Sequence, residues 1–271
     1  MRLTSIVGAT VNDMRASRGL RGLELHRRAV VGGQRAEDYH RWRPSYPADA
    51  VDWLAPPAPA RVADVGAGTG RMTSLLLSRG LIVEAVEPDP RMLAVLAAHN
   101  PDARCHDSDA TAIPVADSSL AAVLVADAWH WMPAAETMAE VRRVLKPGGW
   151  LGLIWNVTAE PVEPWELGLA DAPDTYDRTT KATDEGISER LPAARADELE
   201  FAQFDWAWDL TPEHRAASLA TTSMAIAMEP AEREEFLDAS RSEWQGVCDS
   251  AGATSMPLRQ QASCTRWTPN P

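Results

Sequence analysis

The sequence predicts an α/β fold in which short buried strands alternate with helices to form a parallel sheet. Three observations predict it. Between Arg61 and Asn156, short β-branched runs alternate with helical stretches. The stretch "VADVGAGTGR" at 62–71 puts three glycines at a strand-to-helix turn. A second apolar run then ends in Val86-Glu87, 21 residues after Gly66, where an open α/β sheet places a carboxylate for ribose hydroxyls.

In chain order, "YHRWRPSYPADAVDWL" from Tyr39 to Leu54 sets Pro47 to start a helix through Val51 and Leu54, which the prolines of 56–59 close. Strands follow at 61–65, 81–87, 103–107, 120–126 and 150–156. Helices fall at 70–79 (Met72, Leu75, Leu76 on one face), 90–99 (Met92, Leu93, Leu96) and 134–145 (Met138, Val141, Leu145). Lys146-Pro147-Gly148-Gly149 stops the last of these helices and turns the chain into the next strand. Residues 157–200, rich in Pro, Asp, Glu and Thr with weak periodicity, read as an irregular insertion. Phe204, Trp206, Trp208 and Leu210 then alternate as a strand with one apolar face. Residues 213–246 read as helical and 256–267 as a final strand.

Composition narrows the function. At 271 residues, 45% hydrophobic and 24% charged, the chain suits one large domain with decorations. A net charge of -13 repels polyanions, so nucleic acid is not the expected partner. Cys105, Cys248 and Cys264 are too scattered for a disulfide framework or a metal site, which suits reduced thiols and a cytoplasmic protein without a metal. The longest compact apolar run, Leu120 to Ala126, is far short of the ~20 residues of a membrane span. Residues 1–36 carry seven arginines and no sustained apolar stretch, and are expected to be a loosely attached leader rather than a secretory signal. The oligomeric state is not legible.

Glycine at a strand-to-helix turn lets backbone approach a ligand, and the next helix aims its amides at the same place. A tight turn that needs glycine for its own geometry is the plain alternative. Arg71 stands where a dinucleotide fingerprint requires its third glycine, which argues against NAD or FAD. After strand 3, Asp109 can accept a bond from an adenine amino group while the Ala110 amide serves a ring nitrogen. An exposed loop acid is the rival for Asp109.

Asp64-x-Gly66-x-Gly68-x-Gly70, Glu87, Asp109-Ala110 and the "LKPGG" before strand 5 resemble the class I S-adenosylmethionine-dependent methyltransferases, and within them the type 11 group of small-molecule enzymes. The resemblance covers about residues 39–156. It implies a Rossmann-like, doubly wound seven-stranded sheet, mostly parallel with an antiparallel last strand, and a donor bound across the carboxyl ends of strands 1, 2 and 4. It places Gly66, Gly68 and Gly70 along the methionine part of S-adenosylmethionine, Glu87 at the ribose, and Asp109 with Ala110 at the adenine. Asp127 would face the donor's amino-acid end or the acceptor. The "YHRWRPSYP" segment is similar to a stretch that lies over the donor in relatives resembling trans-aconitate methyltransferase, with Tyr39, Arg43 and Tyr46 as its candidates.

On the acceptor side, Asp127-Ala128-Trp129-His130-Trp131-Met132 follows strand 4. The aromatic faces of Trp129 and Trp131 can shelter a sulfonium methyl or an apolar acceptor, and His130 can deprotonate a hydroxyl or hold a carboxylate. Packing is the ordinary role for such tryptophans and for a lone histidine. The Asn/Asp-Pro-Pro-Tyr signature of nucleic-acid amino-methylating enzymes is absent, which with the acidic charge favours a small-molecule acceptor. Methylation of that acceptor is expected at oxygen ahead of nitrogen or carbon. An NAD-binding oxidoreductase and a catalytically idle binder of S-adenosylmethionine are the competing expectations.

Overall fold

The computed structural model describes residues 35–159, 190–192 and 194–270. The expected leader therefore lies outside the described residues except for Arg35 and Ala36, as does the middle of the expected insertion.

The N-terminal elements are α1 (Ala36–Trp42) and α2 (Ala48–Leu54), separated by the irregular residues 43–47. Then come β1 (Arg61–Val65), α3 (Arg71–Leu77), β2 (Ile82–Val86), α4 (Pro90–His99), β3 (Arg104–His106), β4 (Leu120–Ala126), α5 (Ala134–Val144) and β5 (Leu145–Thr158). The remainder is β6 (Leu199–Leu210), α6 (Pro212–Leu219), α7 (Ser223–Ala227), α8 (Pro230–Ala251) and β7 (Met256–Trp267).

Seven strands among the described residues form one sheet in the order β3-β2-β1-β4-β5-β7-β6. β1 pairs in parallel with β2 and β4, and β5 in parallel with β4, whereas β7 is antiparallel to both its neighbours. This is the doubly wound sheet with an antiparallel last strand. Strand order reverses between β1 and β4, so the crevice at their carboxyl ends is the place for a ligand.

The central strands are buried on both faces, hence the near-continuous apolar run of β4. On one face, Met138, Val141 and Val144 of α5 pack on Val123, Val125, Leu151 and Leu153. On the other, Val51 and Leu54 of α2 with Met72 and Leu76 of α3 cover Val62, Leu124 and Ile154. Helix α4 starts where Pro90 follows Asp89, whose Oδ1 accepts the Arg91 amide at 2.9 Å.

Two expectations change and one is refined. The Lys146–Gly149 turn does not separate α5 from a strand that begins at 150. β5 already pairs at Leu145 with Leu120, and the next pairing, Trp150 with Ala122, leaves these four residues as a bulge with Gly148 at φ 77°. The span 213–246 is helical as expected, in three helices α6, α7 and α8, because Thr211 and Thr222 each cap a new start by accepting an amide and Pro230 forces Glu229 into extended backbone. The boundary at residue 36 is also too late: Ala36 begins α1 and packs with Met92 and Val95 of α4. The ends of the expected insertion belong to β5 and β6.

Candidate active site

The glycine loop joins β1 to α3, and its conformation is set by backbone. Gly66, Gly68 and Gly70 have φ of 67°, 57° and 85°, and the amides of Gly66 and Ala67 both donate to Val86 O at the end of β2, at 2.9 and 3.1 Å. The surroundings differ at each glycine. A Cβ on Gly70 would lie 2.4 Å from Asn100 Nδ2 and 2.8 Å from Leu96 Cγ, so this glycine is required by helix packing. A Cβ on Gly68 would meet nothing within 4 Å, so the space above it is open. Of the two roles weighed from sequence, internal geometry accounts for Gly70, while Gly68 is left facing open space.

Glu87 is buried and grips the loop. Its Oε2 accepts the Gly68 amide at 2.8 Å and its Oε1 the Asp89 amide at 2.8 Å. Burial pushes its carboxyl above the usual range and the two amides pull it back. Asp64, within β1, is wholly buried; Thr73 Oγ1 donates to its Oδ2 at 2.6 Å, and Oδ1 has no partner among the described residues. Burial raises this carboxyl to about 7.

The cap segment reaches the same crevice. Tyr46 Oη donates to Asp127 Oδ2 at 2.8 Å, and the Asn156 amide donates to Oδ1 at 3.2 Å. Asp127 holds φ 51°, a left-handed backbone that a non-glycine residue adopts only at a cost, fixed here by its amide donating to Ile154 O at 2.9 Å. Burial raises its carboxyl to about 6, against the opposing pull of Tyr46, Arg43 and Asn156. Tyr39 packs beside Ala36, Met92 and Val95, and the Arg43 guanidinium sits 5.2 Å from its ring centroid. Tyr39, Arg43, Tyr46 and Asp127 thus gather at the carboxyl ends of β1 and β4.

The other sequence candidates fall in different settings. Asp109 is exposed, and its Oδ1 accepts the amide and the hydroxyl of Thr111 at 2.8 and 2.6 Å, a local turn. Ala110 is buried in the cluster that contains Val65 and Val86. Trp129 corrects the expectation of an acceptor face: it is 2% exposed, lies in the main core, and its Nε1 donates to Arg190 O at 2.9 Å. A large ring following a buried strand gains more from the core than from a wet pocket. His130 and Trp131 stay half-buried, their ring centroids 4.4 Å apart. Burial and the nearby Arg190 charge lower His130 to about 4, so it does not titrate near neutrality as an unperturbed imidazole does. Among the described residues no group of three His, Cys, Asp or Glu side chains could hold a metal, and no helix is long and apolar enough to cross a membrane.

The family model for a methyltransferase domain matches residues 63–153, from β1 to β5. An uncharacterized methyltransferase of Mycobacterium tuberculosis is 38% identical over 234 residues, covering 85% of this chain and 92% of that protein. The chain belongs to the S-adenosylmethionine-dependent methyltransferases, in the type 11 group. A malonyl-[acyl-carrier protein] O-methyltransferase of Methylococcus capsulatus is 38% identical over 102 residues, covering 35% of this chain and 37% of that protein. A solved candidate methyltransferase from an antibiotic biosynthesis pathway of Anabaena variabilis shares the fold with a TM-score of 0.59 at 20% identity, over 80% of this chain and 95% of that one. The oxidoreductase alternative falls with this membership.

Sequence reasoning missed three side chains that pack around this crevice. Arg71 served only to exclude a dinucleotide, yet its Nε donates to Pro44 O at 3.0 Å and its Nη1 to His40 O, both in the cap. Asn156 Nδ2 donates to Ser45 O at 2.9 Å. Arg190 lies 4.8 Å above the Trp155 ring and beside His130. An arginine opening a helix and an asparagine ending a strand carry no local signal of a partner in a remote cap.

Proposed function

We propose that this methyltransferase binds S-adenosylmethionine over Gly66–Gly70 and beneath the 39–46 segment, and transfers its methyl group to an oxygen of a small-molecule acceptor. The observation that carries this is the open space over Gly68, bordered by the buried Glu87 carboxylate, at the reversal of strand order. The donor supplies an already activated sulfonium methyl for direct displacement, so the chain has to align and exclude water.

Each Glu87 oxygen that holds a backbone amide retains a second lone pair, with which it accepts a ribose hydroxyl. The Asp109 carboxylate and Ala110 amide take the adenine edge, Asp109 with its Oδ2, since Oδ1 is committed to Thr111. Arg43 and Tyr39 border the donor's amino-acid end. Asp127, raised to about 6, is the group best placed to receive a proton from an acceptor hydroxyl, and Tyr46 stabilises its anion. His130, neutral above about pH 5, orients the acceptor by hydrogen bonding, with Trp131 beside it. The Methylococcus relative is named as an O-methyltransferase, which supports oxygen as the methylated atom.

Calorimetry with S-adenosylmethionine, S-adenosylhomocysteine and NAD tests the donor: binding of the first two and not the third is expected, and selective NAD binding would overturn the assignment. Release of S-adenosylhomocysteine across a panel of small hydroxyl, carboxyl and amine metabolites tests the acceptor. Turnover only with amines would refute oxygen as the target.

A further inference from the structure

We propose that Arg71 is a latch that holds the 40–46 segment closed over the donor, making it a positioning residue for donor retention; this rests on the donor site proposed above. Side chains tie that segment to the glycine loop, to β5 and to the turn after β4. His40 Nδ1 lies 3.1 Å from Thr69 O, Asn156 Nδ2 donates to Ser45 O at 2.9 Å, and Tyr46 Oη donates to Asp127 at 2.8 Å. Arg71 spans the segment, one guanidinium reaching both His40 O and Pro44 O. These carbonyls border the residues between α1 and α2 that lack regular structure.

The chemistry suits a latch. Arg71 opens α3 directly after Gly70, so its backbone belongs to the donor loop while its side chain belongs to the cap. Among the described residues no carboxylate forms an ion pair with it; its charge is met by carbonyl dipoles, with Tyr46, Tyr39 and the like-charged Arg43 nearby. Bonds from a cation to neutral carbonyls are stronger than neutral ones, yet they avoid the deep well of a buried ion pair. The segment can then be held during turnover and released for donor exchange. The fork matters: Nε and Nη1 are separate donors that each reach one carbonyl, whereas a lysine carries all its donors on one nitrogen.

The test compares the wild type with Arg71→Lys and Arg71→Met. Hydrogen exchange of the amides of residues 40–43, 45 and 46 is read in the ligand-free protein, and S-adenosylhomocysteine dissociation by stopped-flow tryptophan fluorescence. Arg71→Met is expected to speed both about tenfold or more, the equivalent of one lost charge-assisted bond. Arg71→Lys should fall between, and exchange in β1, β4 and β5 should stay unchanged. Should Arg71→Met fail to fold, Arg71→Lys carries the test. Unchanged exchange in the segment, an unchanged off-rate, or exchange that rises equally across the sheet overturns the latch. If the wild type binds no S-adenosylhomocysteine, the donor assignment fails, while exchange in the ligand-free chain still reads the latch.

Discussion

Two glycines two residues apart should fail in different ways when a single methyl group is added. At Gly70 the backbone is left-handed, φ 85°, which costs a non-glycine residue about 1–2 kcal/mol. The new Cβ would also sit 2.4 Å from Asn100 Nδ2 and 2.8 Å from Leu96 Cγ. Neither neighbour yields readily: Leu96 is fully buried, and Asn100 is buried with Nδ2 donating to Leu96 O at 3.1 Å and Oδ1 accepting Ser74 Oγ at 2.6 Å. Overpacking of this kind adds about 1–3 kcal/mol. Gly70→Ala should therefore lose about 2–5 kcal/mol, and at roughly 2–4 °C per kcal/mol for a domain of this size its Tm should fall by about 5–20 °C. Gly68→Ala has only the backbone strain, about 1–2 kcal/mol, since nothing lies within 4 Å of its Cβ. It should melt only a few degrees low but lose S-adenosylhomocysteine affinity about tenfold or more, because the methyl group enters the space assigned to the donor. Differential scanning fluorimetry and titration calorimetry on the two variants read the two quantities. If Gly70→Ala melts no lower than Gly68→Ala, or if Gly68→Ala binds as tightly as the wild type, the division of labour within the loop is refuted.

Further expectations concern the buried carboxylates and the cap. Asp64 has its carboxyl raised from 3.8 to about 7, so the native state holds a proton that the unfolded chain has lost; the associated stability is complete below about pH 4 and disappears as pH rises through about 7. Three units amount to about 4 kcal/mol as an upper bound, and Asp64→Asn should remove this dependence, so urea unfolding of the two proteins should diverge between about pH 4 and 7 in favour of the variant. Equal slopes against pH would refute the raised Asp64 carboxyl. Tyr46→Phe removes a bond to Asp127 and should lower stability by about 1–3 kcal/mol and move the acidic limb of any pH–rate profile upward, since that bond lowers the Asp127 pKa. Glu87→Ala leaves the Gly68 and Asp89 amides without their acceptor and should weaken S-adenosylhomocysteine binding at least about tenfold by calorimetry. His130→Asn should leave no titration near pH 6.5 missing from the profile, because His130 is already neutral there.

The fold was legible wherever local chemistry and burial agree. The apolar run of β4, the Asp89-Pro90 start of α4 and the alternation of Phe204, Trp206, Trp208 and Leu210 are each explained within a few residues, and each appears where expected. Residues 213–246 are helical as expected, and only the breaks at Thr222 and Pro230 that divide them into three helices were not foreseen. Trp129 was misassigned. A tryptophan after a strand reads the same whether it faces a ligand or the core, and only the packing of Leu191 and Trp155 into the same cluster assigns it to the core.

From its sequence alone this chain determined that it would build a parallel sheet, open a glycine loop at the end of β1, and place carboxylates at Asp64, Glu87 and Asp127 toward the carboxyl ends of β1, β2 and β4. These follow from period, turn chemistry and spacing, which are properties of neighbouring residues. The tertiary structure decided what the glycine loop touches. It set Gly70 against α4, left Gly68 open, closed Glu87 onto the loop amides, and brought His40 and Pro44 onto Arg71 across 31 and 27 residues of chain. Such pairings depend on where backbone carbonyls arrive after the sheet has formed, and every residue presents the same carbonyl, so no residue type announces them.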